Sequence, residues 1–150
     1  VFGISKSTKS RKIAESAQNK EESFKNLKIL LVEDNAINQL IASKFLYKWG
    51  AEINFAENGL IGVDKVKNKK FDIVLMDLQM PEMDGFEATR AIRSLQGDYY
   101  KNLPILALTA AAMQEVRQQV EAAGMNDYIA KPFNPNDLYN KIAKYCNITN

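Results

Sequence analysis

The chain has 150 residues, 46% hydrophobic and 25% charged, with a net charge of +2 at pH 7. That length suits one globular domain, and the charge is too small to argue for a nucleic-acid binder. Histidine is absent and Cys146 is the one cysteine, which excludes His-dependent nucleophilic catalysis, His-ligated zinc, a phosphohistidine on this chain and an intrachain disulfide.

Residues 1–26 carry six Lys or Arg against three Glu, a local charge of +3 that leaves −1 for the remainder. They hold no sustained apolar stripe and read as a polar, basic linker, with a short helix expected around 11–20. No apolar run nears the roughly 20 residues of a membrane span, and "VFGIS" is too short for a signal-peptide core. The lone cysteine points to a reducing compartment, so a cytoplasmic segment without membrane contact is expected, even if a parent protein is membrane-anchored. The missing initiator Met points to a fragment of something longer.

A globular domain is expected over 27–147, with a tail at 148–150. "KILLV" (28–32) is an apolar run of strand length, followed by a helix whose apolar face is Ile37, Leu40, Ile41 and Phe45. "EINFA" (52–56) alternates like a more exposed strand. Ile61 and Val66 mark a helix opening near Asn58-Gly59. "DIVLM" (72–76) is the third strand, and Phe86, Ala88, Ile92 and Leu95 give the third helix. "PILAL" (104–108) is followed by a helix through Met113, Val116 and Val120. "YIA" (128–130) precedes a last helix through Leu138, Ile142 and Tyr145. Gly50, Gly97 and Gly124 stand where helices should stop. Five strands alternating with five helices predict an α/β fold, a parallel sheet covered on both faces.

Ligands of such sheets sit beyond the carboxyl ends of the strands. After the first strand come Glu33 and Asp34, after the third Asp77, after the fourth Thr109, after the fifth Lys131-Pro132. Three crowded carboxylates repel one another, and all-oxygen ligation favours a hard cation, Mg²⁺ over Zn²⁺. A lysine, a hydroxyl and a carboxylate nucleophile beside it describe phosphoryl transfer, with Asp77 becoming an acyl phosphate. Each residue also has a plainer reading. Asp77 can cap a turn, the Glu33-Asp34-Asn35 run can cap the first helix, Thr109 can cap the fourth, and Lys131 can be a solvated lysine.

"LLVEDNAINQ", "DIVLMDLQMPEMDG", "PILALTA" and "YIAKPF" resemble, in order, the four signature blocks of the response-regulator receiver domain, in wording most like receivers of hybrid sensor histidine kinases. The resemblance covers about Leu27 to Cys146. It implies a flavodoxin-like (βα)5 fold with a five-stranded parallel sheet of order 2-1-3-4-5. It implies that Asp77 is the phosphoacceptor, and that Glu33, Asp34, Asp77 and the backbone carbonyl of Gln79 hold Mg²⁺, with Mn²⁺ as a substitute. Thr109 and Lys131 would contact the phosphoryl group, the Lys131–Pro132 bond would be cis, and Tyr128 would be the aromatic switch residue. The implied partners are a histidine kinase dimerisation domain as donor and a histidine phosphotransfer protein as acceptor, to a monomer or weak dimer. The face of the fourth helix, fifth strand and fifth helix would change on phosphorylation. A pseudo-receiver would be expected to have lost one of these groups. An aspartyl phosphatase would carry an acid where Gln79 stands, and a nucleotide-binding fold would need a glycine-rich loop after the first strand.

Overall fold

The computed structural model describes residues 20–148. Its elements are β1 (Lys28–Val32), α1 (Ala36–Lys48), β2 (Glu52–Ala56), α2 (Gly59–Asn68), β3 (Ile73–Asp77), α3 (Gly85–Arg93), α4 (Asp98–Asn102), β4 (Ile105–Thr109), α5 (Met113–Ala123), β5 (Asp127–Ala130) and α6 (Pro135–Tyr145). The five strands form one parallel sheet in the order β2-β1-β3-β4-β5. This is the topology expected for a doubly wound sheet.

Alternate residues of each central strand feed opposite cores, because successive side chains of a strand point to opposite faces. Ile29, Leu31, Ile73, Leu75, Leu106 and Leu108 face α1 and α6, where they meet Ala42, Leu46, Trp49, Leu138 and Ile142. Leu30, Val32, Val74, Met76, Ile105 and Ala107 face the other side, against Val63, Val66, Ala88, Ile92 and Val120. Strands buried on both faces have no use for polar alternation, which is why β1, β3 and β4 read as continuous apolar runs.

Four expectations are corrected. First, β3 and β4 reach one residue further than the apolar runs, so Asp77 and Thr109 are themselves the last strand residues. Their backbones stay in the ladder although their side chains are polar.

Second, most of the apolar stripe assigned to α1 faces outward: Ile37, Leu40 and Ile41 are 67%, 68% and 40% exposed, while Phe45 of that stripe packs on the core with the buried Ala42 and Leu46. Third, α3 ends at Arg93, leaving Leu95 outside it, and Gly97 (φ 127°) opens the extra short helix α4. The Tyr99 hydroxyl seats α4 by donating to the Phe71 carbonyl at 3.1 Å and accepting from the Phe71 amide at 2.7 Å.

Fourth, the packed body does not begin at residue 27. Phe24 is fully buried. It stacks on Tyr139 with ring centroids 4.7 Å apart and meets Trp49 edge-on at 5.5 Å. Its amide donates to the Trp49 carbonyl at 2.7 Å. The chain around it crosses Gly50 (φ 93°), where a Cβ would stand 3.1 Å from the Glu22 Cα. At the other end, Ile148, placed in the tail by its sequence, packs on the same core. The short helix expected around 11–20 lies, but for Lys20, outside the described residues, as do the last two residues of the tail.

Candidate functional site

All five strands run the same way, so their carboxyl ends form one rim, and the register sets what meets there. Val32 pairs with Met76, Asp77 with Leu108, and Thr109 with Ala130. Glu33, one residue past β1, therefore stands beside Asp77, and Lys131, one residue past β5, stands beside Thr109. Glu33 is fully buried, with its amide donating to the Ala56 carbonyl at 2.9 Å. Asp77 and Thr109 are also buried, and Asp34 is exposed.

Lys131 reaches across the rim. Its Nζ lies 3.2 Å from both Glu33 carboxylate oxygens and 3.1 Å from Asp77 Oδ1. Carboxylate oxygens of Glu33, Asp34 and Asp77 all fall within 4.8 Å of one another. Burial, and then the neighbouring Asp77 carboxyl, push the Glu33 pKa up from 4.5 to about 7. Two buried carboxylates this close share charge poorly. A cation between them would remove that conflict, and a donor set of oxygens alone suits a hard divalent ion. The residues present can therefore hold a metal.

Of the three acids, Asp77 opens into a cleft of about 610 Å³, lined among others by Gln79, Met80, Thr109, Val116 and Lys131. The Gln79 amide lies 3.4 Å from Asp77 Oδ1. Thr109 Oγ1 accepts from the Ala111 amide at 3.0 Å, and the Lys131 amide donates to the Thr109 carbonyl at 2.8 Å. The Lys131–Pro132 peptide is cis. Tyr128 lies on the sheet face that carries Thr109 but outside the residues that line the cleft. Lys141 holds it there: its Nζ sits 3.8 Å from the Tyr128 ring centroid and donates to the Tyr128 carbonyl.

The plainer roles fall to other residues. Asn35 caps α1, accepting from the Ile37 and Asn38 amides at 2.9 and 3.0 Å, which leaves Glu33 and Asp34 for the rim. Asp84 and Glu87 close a capping box on α3. Ala112, with no side-chain bond, starts α5, so Thr109 is not its cap. Gly85 is required by close approach, since a Cβ there would stand 2.2 Å from the Asp77 carbonyl oxygen. Two site neighbours went unseen in the sequence. Gln39 Nε2 donates to the Glu33 carbonyl at 2.6 Å, and the Asn38 side chain favours the charged form of the Glu33 carboxylate. Their one sequence signal is a place in the first turn of the helix that follows the acids.

The sequence profile of the response regulator receiver domain matches residues 29–143. Hybrid signal transduction histidine kinase G of Dictyostelium discoideum is 46% identical over 129 residues, covering 85% of this chain and 4% of that protein. Histidine kinase 3 of Arabidopsis thaliana is 37% identical over 139 residues, 80% of this chain and 13% of that protein. The chain thus spans a small part of each of these relatives. Among solved structures, the receiver domain of sensor histidine kinase PA1611 from Pseudomonas aeruginosa, with a magnesium ion coordinated in its active site cleft, superposes with a TM-score of 0.76. It is 37% identical and is matched over 81% of this chain and 98% of that one. The co-crystal structure of the Saccharomyces cerevisiae histidine phosphotransfer protein Ypd1 with the receiver domain of Ssk1 gives a TM-score of 0.72 and 34% identity. The match covers 81% of this chain and 89% of that one.

Proposed function

The chain belongs to the response regulator receiver domain family, and from that premise we propose that it is a phosphoacceptor whose nucleophile is Asp77. The observation that carries this reading is one rim on which three carboxylates lie within 4.8 Å, Lys131 bridges two of them and Thr109 lines the same cleft. Glu33, Asp34, Asp77 and the Gln79 carbonyl would hold Mg²⁺, or Mn²⁺ in its place. When bound, the metal supplies positive charge that offsets the phosphoryl oxygens.

Asp77, held at a strand end by the β3–β4 ladder, presents its carboxylate oxygen to the phosphorus. The new O–P bond forms as the P–N bond of a partner's phosphohistidine breaks, and the electron pair returns to that imidazole. Lys131 can follow the phosphoryl charge, because its Nζ already lies 3.1 Å from Asp77. The Thr109 hydroxyl offers a donor to a phosphoryl oxygen. Water later attacks the same phosphorus, releasing phosphate and restoring the carboxylate. Gln79 stands where a phosphatase would need an acid and has no proton to give, so turnover of external substrates is not part of this reading.

The donor would be a histidine kinase dimerisation domain and the acceptor a histidine phosphotransfer protein. Either must bring an imidazole to the rim, and the exposed apolar side chains of Ile37, Leu40 and Ile41 flank that approach. Tyr128 and the face of α5, β5 and α6 would carry the response. No helix among the described residues is long and apolar enough to cross a membrane, and we place the segment in the cytoplasm, as a monomer or weak dimer and as part of a hybrid kinase. The test is intact mass after incubation with acetyl phosphate. The reading predicts one added phosphoryl group that needs both Mg²⁺ and Asp77. Wild-type labelling retained in Asp77→Asn would overturn it.

A further inference from the structure

We infer that Asn38 and Gln39 are positioning residues that set Glu33 for cation binding, an inference resting on the metal role proposed above for Glu33. Glu33 lies one residue beyond β1, past the last registered pair with β3, yet it is fully buried. Its backbone is tied from two sides. The amide donates to Ala56, the last residue of β2, at 2.9 Å, and the carbonyl accepts from Gln39 Nε2 at 2.6 Å. Its carboxylate is held by Lys131, at 3.2 Å to each oxygen, and the Asn38 side chain favours its charged form.

The two kinds of partner differ in what they permit. Lys131 is a cation and competes with a metal for the same oxygens. It is also the group asked to turn toward the incoming phosphoryl oxygens. An amide is neutral, so it can orient the carboxylate without opposing a divalent ion. When Lys131 leaves, Gln39 remains on the Glu33 peptide and the neutral Asn38 side chain still favours the charged carboxylate. Asn35 makes this reach possible, because its side chain caps the Ile37 and Asn38 amides and fixes the first turn of α1 against the rim. The run "EDNAINQ" is then one device. Its acids bind, its first asparagine starts the helix, and its last two residues return from that helix to hold the buried acid.

The experiment measures Mg²⁺ dissociation constants by calorimetry for wild type, Asn38→Leu and Gln39→Met, near-isosteric changes that remove the donors. Melting temperatures and the acetyl phosphate rate at saturating Mg²⁺ are read alongside. Each substitution should weaken Mg²⁺ by about tenfold, while the rate at saturating Mg²⁺ stays within about twofold and melting changes little. A merely structural role would lower melting and the saturated rate together. That pattern, or Mg²⁺ affinities within twofold of wild type in both variants, overturns the inference. Wild type that binds Mg²⁺ yet takes no phosphoryl group would refute the phosphoacceptor reading and leave the positioning role standing. Wild type that binds no Mg²⁺ at millimolar concentration would refute both.

Discussion

Glu33 sits in an electrostatic conflict. Burial and the adjacent Asp77 carboxyl favour its neutral form, whereas Asn38 and Lys131 favour its charged form, and the balance leaves its pKa at about 7 instead of 4.5. A raised carboxyl pKa means that the folded chain binds this proton more tightly than the unfolded chain does. Between pH 4.5 and about 7, unfolding therefore releases a proton, and Glu33's contribution to metal-free stability falls as pH rises. Cation binding needs the ionised carboxylate, so Mg²⁺ affinity should rise across the same window and level off above it. Calorimetry at pH 5.5, 6.5 and 7.5 checks this, with Glu33→Gln expected to flatten the slope. An affinity independent of pH in wild type would contradict it. Asp77, Thr109 and Lys131 were legible in the sequence because each ends or follows an apolar run, where a polar residue has little use in a core. Asn38 and Gln39 were not. A polar residue in the first turn of a helix looks like any solvated one, and their contacts with Glu33 are made only when α1 packs beside the strand end.

Helix α1 shows how far periodicity reaches at the level of an element. Ile37, Leu40 and Ile41 have helical spacing and do lie on one helix, but Ala42, Phe45, Leu46 and Trp49 form a second apolar face of that helix, and the second face is the one that packs inward. Hydrophobic spacing identifies the helix and does not say which of two faces the sheet will cover. The exposed stripe next to the rim then calls for a partner. Leu40→Glu should leave labelling by acetyl phosphate within about twofold of wild type and slow transfer from a phosphorylated histidine phosphotransfer protein by about tenfold or more. Equal rates with the protein donor would contradict the docking role. Helix α4 escaped notice for another reason. Five residues hold too little periodicity to register, and the helix is seated by the Tyr99 hydroxyl on Phe71, a contact across 28 residues.

At the scale of the whole molecule, parallel strands gather residues distant in sequence onto one rim, and Lys131 meets Glu33 across 98 positions. The alternation of strands and helices was enough to foresee this, because a parallel sheet leaves all its carboxyl ends on one side. The edges of the domain were harder to read. Phe24 stands among polar residues, and nothing in its local sequence announces the Trp49 and Tyr139 rings that receive it. Phe24→Ala should cost about 3 kcal/mol, measured by urea unfolding followed through Trp49, the one tryptophan of the chain. A loss under about 1 kcal/mol would mean that residues 20–26 are not part of the folded unit. The central claim, that this fold exists to make Asp77 an acyl phosphate, is tested most directly by reducing the labelled protein with borohydride and mapping the product by peptide mass. Homoserine should form at position 77 and nowhere else, and only with Mg²⁺ present. Reduction at Glu33, Asp34 or Asp84, or at no carboxylate while the phosphoryl mass is present, would contradict it.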